Sequence, residues 1–397
     1  MRREASLTRF MRVGLNLIYL IAESGGSGTY ARELIPSMLE LEPETRITAF
    51  VNAEAPPDIF ETPWAGEVEW VRLPVRVSEG PPWNFALTMA SQWAAVPALA
   101  VKRRLDVVHG LANIAPLVAP GVTKVVTLLD LIWMRFPQTM ARRATIGMKI
   151  VAPTSARAAH RVIAISESAK RDLVERINLD PAKIDVTHLG IRVQEHPSPT
   201  PAADLRERFD LGDGPLVLCV AQKREHKNLA RLVRAVASLE DPSARLLLPG
   251  SPTPHEEELR QIASQLGAAE RLKTPGWVSS EDLEGLYRAA SCFVLPSFEE
   301  GFGLPLLEAM ARGAPVACSN VSSLPEVAGD AALYFDPNSE QEMADAIRRL
   351  IGDRELAAQL SAKGRERCAQ FTWESTARET LATYRRALER PRRSRRY

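Results

Sequence analysis

Two patterns alternate along the chain. Short apolar or β-branched runs are followed by longer stretches in which apolar residues recur every three or four positions. The first kind reads as a strand buried on both faces and the second as a crossover helix. The pattern predicts strands at 12–17, 46–52, 68–74, 106–109, 124–129, 161–165 and 185–189 in the first half. It predicts a second series at 216–221, 245–249, 272–278, 292–296, 315–318 and 332–335. Helices fall between, for instance Leu229–Leu239, His255–Leu266, Ser280–Ala290 and Pro305–Arg312. The two series are separated by "QEHPSPTPAAD", where Pro197, Pro199 and Pro201 leave room for neither helix nor strand. The expected fold class is therefore α/β, as two doubly wound Rossmann-like domains in tandem. Ligands in such sheets bind beyond the carboxyl ends of the strands, and a central cleft faced by both domains is the expected site.

Composition narrows the function classes. The chain has 397 residues, 45% hydrophobic and 25% charged, as in a soluble globular enzyme. Lys+Arg 50 against Asp+Glu 49 gives a net charge of +1, which argues for no particular partner. With no basic domain and no reader motif, no nucleic-acid partner is expected. Cys219, Cys292 and Cys318 sit in apolar runs, Cys368 stands apart, and no C-x-x-C or Cys/His cluster suggests a metal. A reducing, cytoplasmic location is the simpler expectation. The opening "MRREASLTRF" is polar, and a translation start at Met11 would lose nothing from the fold. Trp83–Val101 is too polar and broken to span a bilayer.

Candidate chemistry appears first in "ESGGSGTYARELI", which follows the first strand. Gly26, Gly28 and Ala31 satisfy the spacing of a dinucleotide-binding turn, and Gly25 precedes them. The second strand, however, ends in Asn52 where a ribose-binding acid is expected, with Glu54 slightly beyond. A glycine turn at a helix N-terminus also suits other phosphate-bearing ligands, or a purely structural bend. On these residues alone the three readings stay open.

A more specific constellation lies in "CFVLPSFEEGFGLPLLEAMARGAPVACSN". A strand ends at Pro296, the loop Glu300-Gly301-Phe302-Gly303 follows, and Pro305 starts a helix behind Leu304. Loop N–H groups and the helix N-terminus make a diphosphate cradle. Glu308, early in the helix, suits the two hydroxyls of a ribose, because a carboxylate accepts two hydrogen bonds at once. Glu300 points to whatever lies beyond the diphosphate.

This segment resembles the retaining glycosyltransferases of family 4, which have the GT-B fold and a Glu-x₇-Glu hallmark matched here from Glu300 to Glu308. Further likeness lies in "VAQKREHKNLARLVRAV", "GWVSSEDLEGLYRAAS", "RVIAISESAKRDLV", "HLGIR", "GGSGTYARELI" and the terminal "FTWESTARETLATYRRAL". It implies an N-terminal acceptor-side domain over 11–195, a linker over 196–206 and a donor domain over 207–375. A helix over 376–390 returning to the first domain and a basic tail over 391–397 complete the chain. It implies that Lys227 binds the donor diphosphate. An arginine often present five residues earlier is Gln222 here, leaving Lys223 or Arg224 to supply a second cation. The base is expected against Gly276-Trp277-Val278, and Glu300 is expected to hold a sugar hydroxyl. Gly25, Gly26 and Gly28 are expected to approach the donor diphosphate or the acceptor. No Asp-x-Asp motif holds a divalent ion, so metal-independent catalysis without a cofactor is expected, with cations and helix dipole stabilising the leaving group.

One departure concerns the first domain. Relatives often carry histidine in T-x-H-D-L, but this chain reads "VVTLLDLIW", with Leu129 in that place and Asp130 retained. His109, ending the preceding strand, is the candidate to face donor or acceptor instead. His226, beside Lys227, is a weaker candidate for phosphate, and His188 reads as structural. Leu131 to Arg171 holds eight basic residues (Arg135, Arg142, Arg143, Lys149, Arg157, Arg161, Lys170, Arg171) against Glu167, near Trp83, Phe85, Trp93, Trp133 and Phe136. That composition suits a lipid-linked acceptor and an anionic membrane surface, or an ordinary solvated face over buried aromatics. The leading expectation is transfer of a hexose, mannose first, from a GDP- or UDP-sugar to a glycan or lipid-linked acceptor. A degenerate nucleotide-sugar-binding protein, a GT-B-like epimerase or phosphorylase, and an NAD-linked dehydrogenase are the alternatives.

Overall fold

The computed structural model describes residues 10–22, 24–77, 82–139, 142–192 and 198–389. Glu23, His196, Pro197, the first nine residues and the basic tail 391–397 lie outside the described residues, as do the side chains of Trp83, Arg142 and Arg143. The chain divides into two compact units. One comprises Met1–Leu131, Ile146–Gly190 and Trp373–Tyr397, and the other Ile132–Thr145 and Ile191–Thr372. The boundaries drawn from sequence differ in three places, the first being that the first unit's run ends at Gly190 rather than 195, with the second unit starting at Ile191. The segment Ile132–Thr145 leaves the first series to pack with the second unit, and the terminal helix joins the first unit from Trp373.

The first unit holds a parallel sheet of β1 (Arg12–Leu17), β2 (Arg46–Val51), β3 (Val68–Arg72), β4 (Val107–Gly110), β5 (Thr123–Leu128), β6 (Arg161–Ala164) and β7 (Ile184–Val186). The strand order is β3-β2-β1-β4-β5-β6-β7, so the topology switches direction between β1 and β4. Val13, Leu15, Leu17, Val107, Val108, Val125, Val126 and Leu128 are fully buried, as a sheet covered on both faces requires. The helix Trp373–Leu388 closes this unit. Trp373 stacks on Tyr30 of the helix Gly25–Leu41 at 6.3 Å, and Thr376 Oγ1 donates to the His188 carbonyl at 2.8 Å.

The second unit holds β8 (Leu216–Leu218), β9 (Arg245–Leu247), β10 (Leu272–Lys273), β11 (Cys292–Leu295), β12 (Val316–Ser319) and β13 (Ala332–Phe335). The order is β10-β9-β8-β11-β12-β13, all parallel, with the switch point between β8 and β11. Each strand expected from the apolar runs is present, but several are shorter. β10 ends at Lys273 rather than 278, because Pro275 has no N–H for the ladder and Gly276 turns away at φ +81°. The residues lost from the strand ends become the loops that carry the candidate site.

Candidate functional site

The site is built on the carboxyl ends of the second sheet, on both sides of its switch point. After β8 the chain makes a single 3₁₀ turn, Glu225–Lys227, and Asn228 reverses it in the left-handed region at φ +56°. The Asn228 amide donates to the carbonyls of Pro296 (3.0 Å) and Pro337 (2.8 Å), which ties the β8 loop to the ends of β11 and β13. That stitching brings Lys227 to Glu300, 73 residues along the chain. Lys227 Nζ lies 2.7 Å from Glu300 Oε1, with the two side chains 16% and 9% exposed. Ser297 Oγ donates to the same oxygen at 2.6 Å.

The Glu300–Gly303 loop is held from below by the β12 loop. The Glu300 N–H donates to Ser322 Oγ at 2.9 Å, and that hydroxyl donates back to the Glu300 carbonyl at 3.1 Å. Ser323 Oγ is shared between the carbonyls of Glu300 (3.0 Å) and Phe302 (2.9 Å). Gly303 then caps the helix Leu304–Ala311 at φ +103°, where a Cβ would stand 2.9 Å from Leu324 Cδ2. Glycine is therefore required there both by the left-handed backbone and by the leucine beneath it. Phe302 and Leu304 were both expected to bind donor, but their side chains are buried in the unit's own packing, Phe302 edge-on to Phe371 at 5.8 Å.

Glu308 accepts a hydrogen bond from Tyr287 Oη at 2.7 Å. Burial raises its carboxyl above the ordinary value, and the Tyr287 hydroxyl and the Arg312 guanidinium only partly offset that. Burial and the neighbouring Glu308 charge push the Tyr287 phenol well above its ordinary range, so it stays a donor. The turn after β10 presents Trp277, 72% exposed, with Val278 half-buried beside it.

The cations sort differently from expectation. Lys223 is excluded as a diphosphate ligand because its side chain is fully buried and pairs with Glu256 at 3.2 Å. His226 is buried and held neutral, its pKa pushed down to about 3 by burial and then by Lys227 and Arg224. Its ring lies 5.9 Å from Phe136, which also stacks on Phe298 at 6.2 Å. Phe136 belongs to the Ile132–Thr145 segment, whose Arg135 pairs with the buried Glu299. Half-buried Arg224, next to the 3₁₀ turn, and Lys227 remain as candidate cations.

In the first unit His109 is corrected. It is fully buried, and both ring nitrogens are engaged, Nδ1 with Tyr384 Oη at 2.7 Å and Nε2 with Thr127 Oγ1 at 2.8 Å. Burial pushes its pKa down to about 3, so it is a neutral core histidine rather than a cleft residue. Gly25, Gly26 and Gly28 belong to the first turn of the helix Gly25–Leu41 rather than to a loop before it. Gly25 has φ +52°, Gly25 and Gly26 are exposed, and Gly28 is buried 3.2 Å (as a Cβ) from Ser24 Cβ. Asn52 is no ribose ligand: its amide donates to the carbonyls of Ile18 (2.8 Å) and Leu20 (2.7 Å), bracing the β1 loop. Asp130 is half-buried just past β5.

Sequence reasoning missed Ser297, Ser322, Ser323, Tyr287 and Asn228. The "KNL" triplet and the serines flanking each strand end were visible, but nothing local shows which carbonyl or carboxylate they meet. Among the described residues no cluster of His, Cys, Asp or Glu is placed to hold a metal ion, and no helix is long and apolar enough to cross a membrane.

Comparison with known proteins places these observations in context. The family model described as glycosyl transferases group 1 matches residues 203–367, and that of glycosyltransferase family 4 matches residues 24–195. The chain is 32% identical over 227 residues to an O-antigen chain mannosyltransferase B of Escherichia coli, covering 56% of this chain and 60% of that one. It is 32% identical over 194 residues to a GDP-mannose-dependent alpha-(1-6)-phosphatidylinositol monomannoside mannosyltransferase of Mycobacterium tuberculosis, covering 46% and 50%. These matches thus span about half to three-fifths of the curated relatives' length. The fold is similar to that of Anabaena HepE, solved in complex with UDP and glucose, at a TM-score of 0.74 and 19% identity over 95% of this chain and all of that one.

Proposed function

The chain belongs to the group 1, family 4 glycosyltransferases of GT-B fold, and from that premise we propose that it transfers a hexose from a nucleoside diphosphate sugar to a glycan or lipid-linked acceptor. The observation that carries this reading is the Lys227–Glu300 pair across the β8–β11 switch point, with Glu308 eight residues further on in the helix Leu304–Ala311. A cation, a helix N-terminus and two carboxylates support this reading, because they are the group types that a diphosphate flanked by two polyols pairs with. In this reading Lys227 and Arg224 meet the diphosphate, together with the N-terminus of the helix Leu304–Ala311. Glu308 takes the ribose hydroxyls, Glu300 a sugar hydroxyl, and Gly276-Trp277-Val278 the base.

The chemistry follows from charge. As the bond from the sugar C1 to the phosphate oxygen breaks, negative charge grows on the departing diphosphate, and fixed cations and N–H dipoles stabilise it without reorganisation. The acceptor oxygen bonds to C1 on the face the phosphate leaves, and its proton passes to the leaving phosphate. Retention without metal or cofactor is therefore part of the proposal. Hydrolysis by a carboxylate pair does not fit, because Glu308 is committed to the ribose. GDP-mannose is the first donor to test, on the strength of the two mannosyltransferase relatives, and a UDP-hexose the second.

The first unit supports a lipid-linked acceptor. Phe85 (46%), Leu87 (50%), Ile146 (53%) and Ile150 (63%) are exposed large apolar residues on neighbouring helices, with exposed Lys149 among them. The Phe85 ring lies against Gly147 of the second helix, on which Ile146 and Ile150, four residues apart, share a face. Apolar side chains beside a lysine suit the interface of an anionic membrane. A donor panel tests the main reading: GDP or UDP release by purified protein, with Glu300→Ala and Lys227→Ala as controls. Turnover of one nucleotide sugar that both substitutions abolish is expected; no binding and no turnover of any donor sinks the proposal. Flotation with anionic vesicles, lost in Ile146→Glu/Ile150→Glu, tests the membrane part.

A further inference from the structure

Lys223 is the largest buried charge that the proposed chemistry does not use. Its side chain is fully buried, so its ammonium cannot reach a substrate. Its Nζ donates to the Gly250 carbonyl at 2.7 Å, pairs with Glu256 Oε2 at 3.2 Å, and lies 3.5 Å from the Ser251 carbonyl. Its own carbonyl accepts from Thr253 Oγ1 at 2.7 Å. Every one of these partners belongs to the loop after β9 or the first turn of the following helix, Pro254–Gln265.

That loop is in turn bound to the next one. The Gly250 N–H, at φ +126°, donates to the Gly276 carbonyl at 2.7 Å. Arg260 Nη2 bridges Glu256 Oε1 at 2.6 Å and Thr274 Oγ1 at 2.8 Å. Burial raises the Glu256 carboxyl, but its bonds to Lys223, Thr274 and Arg260 outweigh this and hold it below the usual range, as an ionised member of the network. Three loops are thereby linked in series. The β8 loop carries Arg224 and Lys227; the β9 loop carries no candidate ligand; the β10 turn carries Gly276, Trp277 and Val278. An apolar side chain of similar size would fill the same space at less cost than a desolvated ion pair.

We infer that Lys223 is a positioning residue for nucleotide recognition, fixing the base-side turn Gly276–Val278 relative to the phosphate-side cations through Gly250 and Glu256. This rests on the nucleotide-sugar reading. It goes beyond it by separating the base contribution to binding from the diphosphate contribution, because the Lys223 side-chain bonds run to the β9 loop and through it to the base-side turn. Lys227 is held independently, by Glu300 and by the Asn228 bonds to Pro296 and Pro337.

The test compares GDP, UDP and inorganic pyrophosphate binding by calorimetry in wild type, Lys223→Met and Glu256→Gln. Methionine keeps the volume and loses the ammonium. The expected result is a roughly tenfold weaker nucleoside diphosphate in Lys223→Met with pyrophosphate affinity within twofold of wild type. In turnover, the donor KM should rise about as much while kcat changes little. Parallel loss of nucleotide and pyrophosphate, or no change in either, overturns the inference. If Lys223→Met does not fold by circular dichroism, Glu256→Gln carries the test. It should show the same selective loss, and unchanged nucleotide binding in it overturns the inference. A wild type that binds neither GDP nor UDP overturns the nucleotide-sugar reading itself, and this inference with it.

Discussion

Glu300→Gln separates two roles that the Lys227–Glu300 pair leaves superimposed. Lys227 directs its charge at Glu300 Oε1 across 2.7 Å, and a diphosphate must compete with that carboxylate for it. Two unit charges about 4 Å apart interact by about 4 kcal/mol at an effective dielectric near 20. The side chains are 16% and 9% exposed, so solvent screens only part of this. Glutamine keeps an oxygen for the Lys227 and Ser297 bonds and removes only the charge. A net gain of about 1–2 kcal/mol in diphosphate affinity is therefore expected, a factor of about 5–30. Transfer should fall at the same time, because glutamine cannot hold a sugar hydroxyl as strongly as a carboxylate does. Calorimetric titration with GDP, UDP and pyrophosphate, beside initial rates with the active donor, reads both effects. Product affinity that drops tenfold in Glu300→Gln would refute the competition argument. It would mean that the carboxylate organises the diphosphate pocket instead of competing with it.

The remaining predictions concern protons and backbone. Glu308 can accept from both ribose hydroxyls fully only as a carboxylate, since protonation turns one oxygen into a donor; burial raises its pKa, so nucleotide affinity should fall as pH drops, beginning above the ordinary carboxylate range. Glu308→Gln should flatten that limb, and a wild-type affinity flat down to pH 4.5 counts against the ribose role. His109 and His226 are both held near pKa 3 in the fold but take up protons near 6.5 when unfolded. The stability they permit is present above pH 6.5 and is lost as pH falls towards 3, at about 1.4 kcal/mol per pH unit for each. Urea midpoints at pH 7, 6 and 5 should show this slope, and His109→Gln should remove one proton's share of it in the first unit. Gly303→Ala meets both φ +103° and Leu324 at 2.9 Å, so about 1–3 kcal/mol of destabilisation is expected, read as a lower melting temperature. Asn228→Ala strips the Pro296 and Pro337 carbonyls of their donor. Each carbonyl left unsatisfied costs about 1–3 kcal/mol, so this change should lower the melting temperature at least as far; an unchanged value refutes its stitching role.

Local order is what the sequence by itself determined. Apolar runs marked the strands of both sheets, and Gly303-Leu304-Pro305 marked a loop turning into a helix, because strand burial and helix starts depend on neighbours within a few residues. The Glu300–Glu308 spacing was equally legible, since one loop and one helix carry both carboxylates. What only the tertiary structure decided is where each long side chain delivers its charge or proton. Lys223 and Lys227 are four residues apart and look alike in sequence. One is buried against Glu256 and Gly250, and the other meets Glu300 at the switch point. His109 reads from sequence as a strand-end residue facing donor or acceptor, but Tyr384, 275 residues away, engages its Nδ1 in the core. The segment Ile132–Thr145 follows the fifth strand of one sheet yet packs with the other unit. Such outcomes depend on which distant surfaces exclude water around a group. A charge buried by one approaching loop must find its partner on that loop, whereas periodicity along the chain reports only which face is turned inward.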